Sequence, residues 1–273
     1  MALSTHGAGE IDPHRYADRL RGAQDALRDT AATAFLIGVG ADLRWLTGYA
    51  PYLLERLTML VVPASGQATL VAPYLEKPGA TSCPAVAAGY VKVETWDETD
   101  DPYPLVVRAL NKEAAHGHDE VLVSDQLWAM FVLRLQAALP KADFELASKL
   151  LRAFRMVKDP GEQALLQEAS AAADRAMASI ANMHLVGRTE AAVSAEVKNK
   201  LAEEGHDGST FAIVASGPHS AEPHHAAGNR VIMPGEPIVF DIGGVRLRRL
   251  SSRARHLGPL ITESVLPPSA RAG

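Results

Sequence analysis

Cysteine is almost absent: Cys83 is the only one in 273 residues. A lone thiol excludes an internal disulfide framework and a cysteine-rich zinc site. With Pro84 next to it and no base nearby, it reads as a passive thiol. Long apolar runs are missing too, since no stretch reaches the roughly 18 residues that a membrane-spanning helix needs. The first fifteen residues contain His6, Glu10, Asp12 and His14 but no apolar h-region, so no secretory signal is read there. Positive charge is not in excess. Lys plus Arg number 27 against 32 Asp plus Glu, a formal charge of −5, which implies no broad basic surface for nucleic acid. Neither a G-x-S-x-G nucleophile elbow nor a Walker loop occurs. What is present is ordinary for a globular chain, 47% hydrophobic and 22% charged, long enough for one large domain or two average ones. The expectation is a soluble, cytoplasmic α/β protein that binds neither nucleic acid nor membrane.

Charge is unevenly spread. From Val245 to Gly273 there are six arginines, no lysine and one acid, Glu263, so this stretch carries +5 while residues 1–244 carry −10. It shows no period of 2 or 3.6. A basic interaction tail, a short irregular end and an out-of-frame translation of GC-rich DNA are all consistent with its Arg, Leu, Ser, Pro and Ala.

Periodicity divides the remainder. Residues 12–29 place Tyr16, Leu20, Ala23 and Leu27 on one helical stripe. Ala34–Ile37 reads as a buried strand ending in the turn Gly38-Val39-Gly40. Leu57–Pro63 and Gln67–Ala72, separated by Ala64-Ser65-Gly66, read as a β-hairpin. Strands at 90–96 and 120–124 and helices at 105–113 and 127–138 complete an α/β domain over 12–150. A second segment, 151–244, opens on Asp159-Pro160-Gly161-Glu162. Here Asp159 caps a helix, Pro160 suits its first position and Glu162 completes a capping box. Thr189 caps another helix that Gly205 stops. Strands 211–215 and 238–242 follow, joined by a His-rich loop over 216–235.

Most polar clusters read blandly. Gly38-Val39-Gly40 lacks the third glycine of a dinucleotide turn, because that position is Leu43. His116-Gly117-His118 and the acidic run Asp97 to Asp101 read as solvated loops. The loop from Ser216 to His225 differs, because it sets His219, His224 and His225 beside glycine and proline between two apolar strands, where a loop can present them to a cleft. Asp241 then sits inside the apolar strand Ile238–Ile242. A carboxylate there needs a partner, either a metal ion or a hydrogen-bonding cap to the glycine turn at Gly243-Gly244.

Several segments, taken in order and spacing over residues 15–244, resemble the pita-bread metallopeptidases, above all Xaa-Pro aminopeptidases and Xaa-Pro dipeptidases (prolidases). Leu43 to Tyr49 and Glu55-Arg56 resemble the creatinase/prolidase N-terminal domain. Arg155 to Glu162 is similar to the opening of the catalytic domain, and Gly187-Arg188-Thr189-Glu190 to its second helix start. The most specific are Ile213 to Gly217, Pro223-His224-His225 and Pro234 to Gly244. The resemblance implies a creatinase-type α/β N-terminal domain (12–150) followed by an incomplete α+β pita-bread domain (151–244).

It also implies hydrolysis of Xaa-Pro peptide bonds in proline-containing peptides, by a homo-oligomer, through two divalent ions (manganese, cobalt or zinc) held by two Asp, one His and two Glu. A water shared by the ions is the attacking group. Carried over, Asp241 matches the first metal-binding aspartate, His224 the catalytic histidine before it, and His225 a neighbour lining the substrate cleft. The second aspartate would fall at position 252, which is Ser252, and His256 and Glu263 lie in unmatched contexts. Four of the five ligands thus have no counterpart, and the likeness is read as ending at Gly244, with 245–273 an unmatched Arg-rich tail. The expectation is a truncated or frameshifted relative, inactive alone. The alternatives are a metal-free creatinase-like amidinohydrolase and a non-catalytic dimer partner. Truncation would also leave strands 211–215 and 238–242 with exposed apolar faces.

Overall fold

A computed structural model describes residues 12–110, 119–245 and 254–256. Two compact units divide between Lys158 and Asp159. The sequence-based boundary at 150/151 falls inside a helix, and His116 and His118 lie outside the described residues.

The first unit begins with α1 (Pro13–Arg28). Asp12 caps it by accepting the His14 N–H at 2.9 Å, and its stripe Tyr16, Leu20, Ala23 and Leu27 is buried as the period requires. Then follow β1 (Ala32–Gly38), α2 (Ala41–Thr47), β2 (Met59–Pro63), β3 (Ala68–Pro73), α3 (Lys77–Ser82), α4 (Pro84–Ala87), β4 (Val91–Trp96), α5 (Tyr103–Ala109), β5 (Glu120–Val123), α6 (Ala129–Ala138), β6 (Asp143–Leu146) and α7 (Ser148–Met156). The six strands form one mixed sheet in the order β4-β3-β2-β1-β5-β6. The β2–β3 hairpin is antiparallel with Leu60 opposite Leu70, and β1 runs antiparallel to β2 and parallel to β5. Central position explains why Phe35, Leu36 and Ile37 are all fully buried: both faces of β1 are covered, so its sequence is a continuous apolar run rather than an alternating one. On one face, Leu36, Val61, Val71, Val106, Phe131 and Leu135 pack into a single core.

Sequence patterning missed α2, α3, α4, β6 and α7. The glycines of Gly38-Val39-Gly40 make a plain turn, as expected. The Gly38 N–H donates to Ser124 Oγ at 3.0 Å, and a Cβ at Gly38 would come within 2.6 Å of Leu127 Cδ1. Cys83 is buried and burial raises its thiol pKa, in keeping with a passive role. The acidic run Asp97 to Asp101 is exposed, as expected, with Glu98 also accepting from Arg56 at 2.6 Å.

The second unit holds α8 (Pro160–Ala181), α9 (Glu190–Glu203), β7 (Gly208–Ser216), β8 (Ile238–Val245) and β9 (Ala254–His256). The capping box forms in full: the Glu162 N–H donates to Asp159 and the Asp159 N–H donates to Glu162. Strands β7, β8 and β9 form an antiparallel sheet in that order. The apolar exposure expected of β7 and β8 is absent from the face that α8 and α9 cover. There Val214, Ile238, Phe240 and Ile242 pack against Ala173, Met177, Val193 and Val197. Among the described residues no helix is long and apolar enough to cross a membrane.

Candidate active site

The alternation of β7 and β8 decides what faces the cleft. Ala212, Val214, Phe240 and Ile242 point into the core, so Phe211, Ile213 and Asp241 point the other way. Asp241 stands opposite Ile213 in the ladder. On that side lies a cavity of about 660 Å³, whose wall includes Lys198, Phe211, Ile213, His224, His225 and Asp241. The structure therefore brings together the three residues singled out from sequence. Asp241 Oδ1 is buried and has no hydrogen-bond partner. A desolvated carboxylate oxygen without a donor is unfavourable by itself and suits a cation. The alternative of a cap to a glycine turn falls away, because Gly243 and Gly244 lie within β8, paired with β7 and β9.

Behind the two histidines lies Glu190, which sequence reading placed only as part of a helix start. Thr189 caps α9 by accepting the Ala192 N–H at 3.2 Å, so Glu190 occupies the first helical position, where the helix dipole favours a carboxylate. Its side chain is fully buried. Glu190 Oε1 accepts both the Ser216 N–H and the Ser216 hydroxyl at 2.8 Å. His219 Nδ1 lies 3.1 Å from each carboxylate oxygen, and His225 Nε2 lies 2.9 Å from Oε2. Burial pushes the Glu190 pKa up, but the bonds from the Ser216 N–H, His225, the Ser216 hydroxyl and His219 outweigh it and hold the group at about 2. The bond to Glu190, opposed by burial and aided by Glu222, raises the His225 pKa above its ordinary value.

Arg230 closes the back of this network. It donates to Ser216 Oγ at 2.6 Å and forms a two-pronged ion pair with Glu236, including a 2.8 Å bond to Oε2. Gly217 has φ +50, which favours glycine, and a Cβ there would fall 2.5 Å from Glu236 Oε1 and 2.7 Å from Arg230 Nη2, so a larger residue would have to displace that ion pair. His224 also adopts a left-handed conformation, φ +59, which is costly for a residue with a side chain. Both histidines line the cavity, and His225 Nε2 reaches Glu190. Such strain at one position of a loop is typical of functional segments.

Residues 19–157 match the creatinase/prolidase N-terminal domain, and residues 164–255 match metallopeptidase family M24. The chain belongs to this peptidase family. The M24 match runs past Gly244 to residue 255, so the family likeness enters the segment that sequence reading had set apart from Val245. A probable dipeptidase PepE of Mycobacterium tuberculosis is 38% identical over 238 residues, 87% of this chain and 62% of the relative. The crystal structure of dipeptidase PepE from Mycobacterium ulcerans superposes with a TM-score of 0.79 at 39% identity, over 87% of this chain and 62% of that one. A prolidase structure from Thermococcus sibiricus gives 0.77 at 26% identity, over 88% and 63%. The chain thus spans about 62% of the length of the relatives it matches. The fold is that of a creatinase-type N-terminal domain with part of an M24 pita-bread domain.

Proposed function

We propose that the cavity beside β7 and β8 is part of the substrate cleft of an Xaa-Pro dipeptidase. The observation that carries this reading is the unpartnered, buried Asp241 Oδ1 on the wall shared with His224 and His225. Asp241 fits as one carboxylate ligand to a divalent ion, manganese, cobalt or zinc. The family's five-ligand set does not assemble among the described residues: the one group of three metal-capable side chains there is Glu190, His219 and His225, without Asp241. No catalytic step through metal follows from these residues, and we expect no turnover by this chain alone. When bound in a complete site, the ions would supply a polarised water and Lewis-acid stabilisation.

The chain's own contributions are binding and orientation. His224, exposed in a left-handed backbone conformation, is placed to donate to or accept from a bound peptide, and Phe211 and Ile213 offer an apolar floor to a proline ring. His225, tied to Glu190, lines the wall. We further assign a cytoplasmic homo-oligomer acting on proline-containing peptides.

Calorimetric titration of the chain with Ala-Pro and Ala-Ala in the presence of Mn²⁺, with proline release followed in parallel, tests the assignment. Ala-Pro should bind the more tightly, and His224→Ala and Asp241→Asn should each weaken it by about ten-fold, or ~1.4 kcal/mol. Equal affinity for the two peptides would remove the proline reading. Ala-Pro affinity unchanged by Asp241→Asn would remove the role of Asp241, and proline release by the unaltered chain would overturn the expected lack of turnover.

A further inference from the structure

Beside the cleft lies a cluster of which the proposed peptidase reading uses only His225, as part of the wall. We propose that Glu190, His219 and His225 form a mononuclear site for a borderline divalent cation of the zinc class, separate from the ion assigned to Asp241.

The ligand atoms of all three side chains lie within 4.8 Å of one another. Glu190 Oε2 is 3.1 Å from His219 Nδ1 and 2.9 Å from His225 Nε2. Tetrahedral coordination at bond lengths of about 2.1 Å puts neighbouring ligand atoms ~3.4 Å apart, so the two histidine–carboxylate distances need to lengthen by only a few tenths of an ångström. Two imidazoles and one carboxylate are the donor set that such ions take, and imidazole discriminates against magnesium and calcium.

Supporting contacts sit where a metal site needs them. The far oxygen, Glu190 Oε1, is held by the Ser216 N–H and hydroxyl, which fixes the carboxylate plane. The other ring nitrogen of His225, Nδ1, lies 3.1 Å from Glu222 Oε2. A carboxylate on the far nitrogen sets the tautomer that leaves Nε2 free to ligate. His219 is one-third exposed, so a fourth position opens toward solvent for a water.

Charge favours the same occupant. Without an ion, both rings must donate to one carboxylate, and His225 must also donate to Glu222. The two rings stand 4.2 Å apart between centroids and present a nitrogen each to the same carboxylate. Neutral imidazoles with Glu190 and Glu222 ionised leave a charge of −2, which one divalent ion neutralises. Arg230, the cation nearest this network, is committed to Glu236 and Ser216.

The test uses the full chain, stripped with chelator and free of any histidine tag, carrying Asp241→Asn to silence the cleft carboxylate. Equilibrium dialysis against Zn²⁺ should show one ion per chain. Adding His219→Asn should weaken binding by at least about ten-fold while the far-UV circular dichroism stays unchanged. X-ray absorption on the zinc-loaded Asp241→Asn chain should find two imidazole nitrogens, which settles the matter even where His219→Asn misfolds. No zinc bound by the Asp241→Asn chain, binding indifferent to His219→Asn, or fewer than two imidazole ligands would overturn the site.

Discussion

Gly48 ends α2 in a left-handed conformation, φ +76, with its N–H donating to the Arg44 carbonyl at 2.8 Å. A Cβ there would sit 2.8 Å from Pro84 Cδ and 2.9 Å from Tyr16 Oη. Neither neighbour yields easily: one is a proline ring at the start of α4 and the other a fully buried tyrosine. Gly48→Ala should therefore cost about 1–2 kcal/mol for the left-handed backbone and a further 1–3 kcal/mol or so for overpacking. Gly89 separates the two contributions. It is left-handed as well, φ +81, yet a Cβ there meets nothing within 4 Å, so Gly89→Ala should show the backbone cost alone.

Urea unfolding followed by tryptophan fluorescence is the assay, because all three tryptophans, Trp45, Trp96 and Trp128, belong to the first unit and report on it alone. With an m-value of about 2 kcal/mol/M, the extra steric cost of about 2 kcal/mol at Gly48 should lower its midpoint by ~1 M more than Gly89→Ala does. Coincident midpoints for the two variants, at unchanged m, would refute the steric argument and leave only backbone conformation.

Three further outcomes are expected. Leu36→Ala, at a fully buried position in the central strand, should destabilise the first unit by about 2–5 kcal/mol in the same fluorescence assay. Asp159→Ala should cost about 1 kcal/mol through loss of the α8 cap, seen as roughly five-fold faster hydrogen exchange in α8 peptides by mass spectrometry. Tyr49 is pushed up to about 12, chiefly by burial and further by the Glu76 and Cys83 charges. Its folded-state value exceeds the unfolded one, so its stabilising contribution is full below pH 10 and disappears as pH rises toward 12. Tyr49→Phe should remove the titration near pH 12 from the ultraviolet spectrum, and should cost little near neutrality because the buried Tyr49 hydroxyl has no hydrogen-bond partner.

Helices with an end signal or a clear apolar pattern were legible in the sequence: α1, α5 and α6 were read from their apolar residues, although α5 and α6 have no side-chain cap. Asp159 and Thr189 announce α8 and α9 through a side-chain oxygen that the structure shows accepting a backbone N–H, and Asp12 does the same for α1, a cap the stripe-based reading left unnamed. By contrast α2, α3, α4 and α7 have no side-chain cap, and three of them are seven residues or shorter, so periodicity has too few turns to appear. The strand β6 reads Asp-Phe-Glu-Leu at a sheet edge, with little of it buried, and so lacks the apolar run that revealed β1, β2 and β3. The parallel pairings of β4 with β3 and β5 with β1 were beyond local reading as well, because they join segments through intervening helices.

At the site, chemistry was visible where it contradicts its surroundings. A carboxylate in the middle of Ile-Val-Phe-Asp-Ile stands out, and so do histidines in a Gly/Pro loop, which is why Asp241, His224 and His225 could be named before the fold was known. Glu190 could not, because an acid in the first turn of a capped helix is the ordinary preference of a helix dipole, and nothing local distinguishes a solvated one from a buried one. What separates them is 26 residues away: Ser216, at the end of β7, turns both its N–H and its hydroxyl onto Glu190. Ser216 is in turn held by Arg230, and Arg230 by Glu236, so the carboxylate that gathers His219 and His225 depends on a chain of contacts from α9 through β7 to the approach to β8. The only local hint was Gly217, whose left-handed φ and lack of room for a Cβ place a glycine between the strand and the histidine loop. Removing that glycine should therefore disturb the histidines without touching them: Gly217→Ala drives a Cβ into the Arg230–Glu236 pair, and NMR titration should show altered His219 and His225 ring resonances while α9 keeps its helical shifts. Unchanged histidine resonances would mean that the Ser216 end of β7 does not set their position.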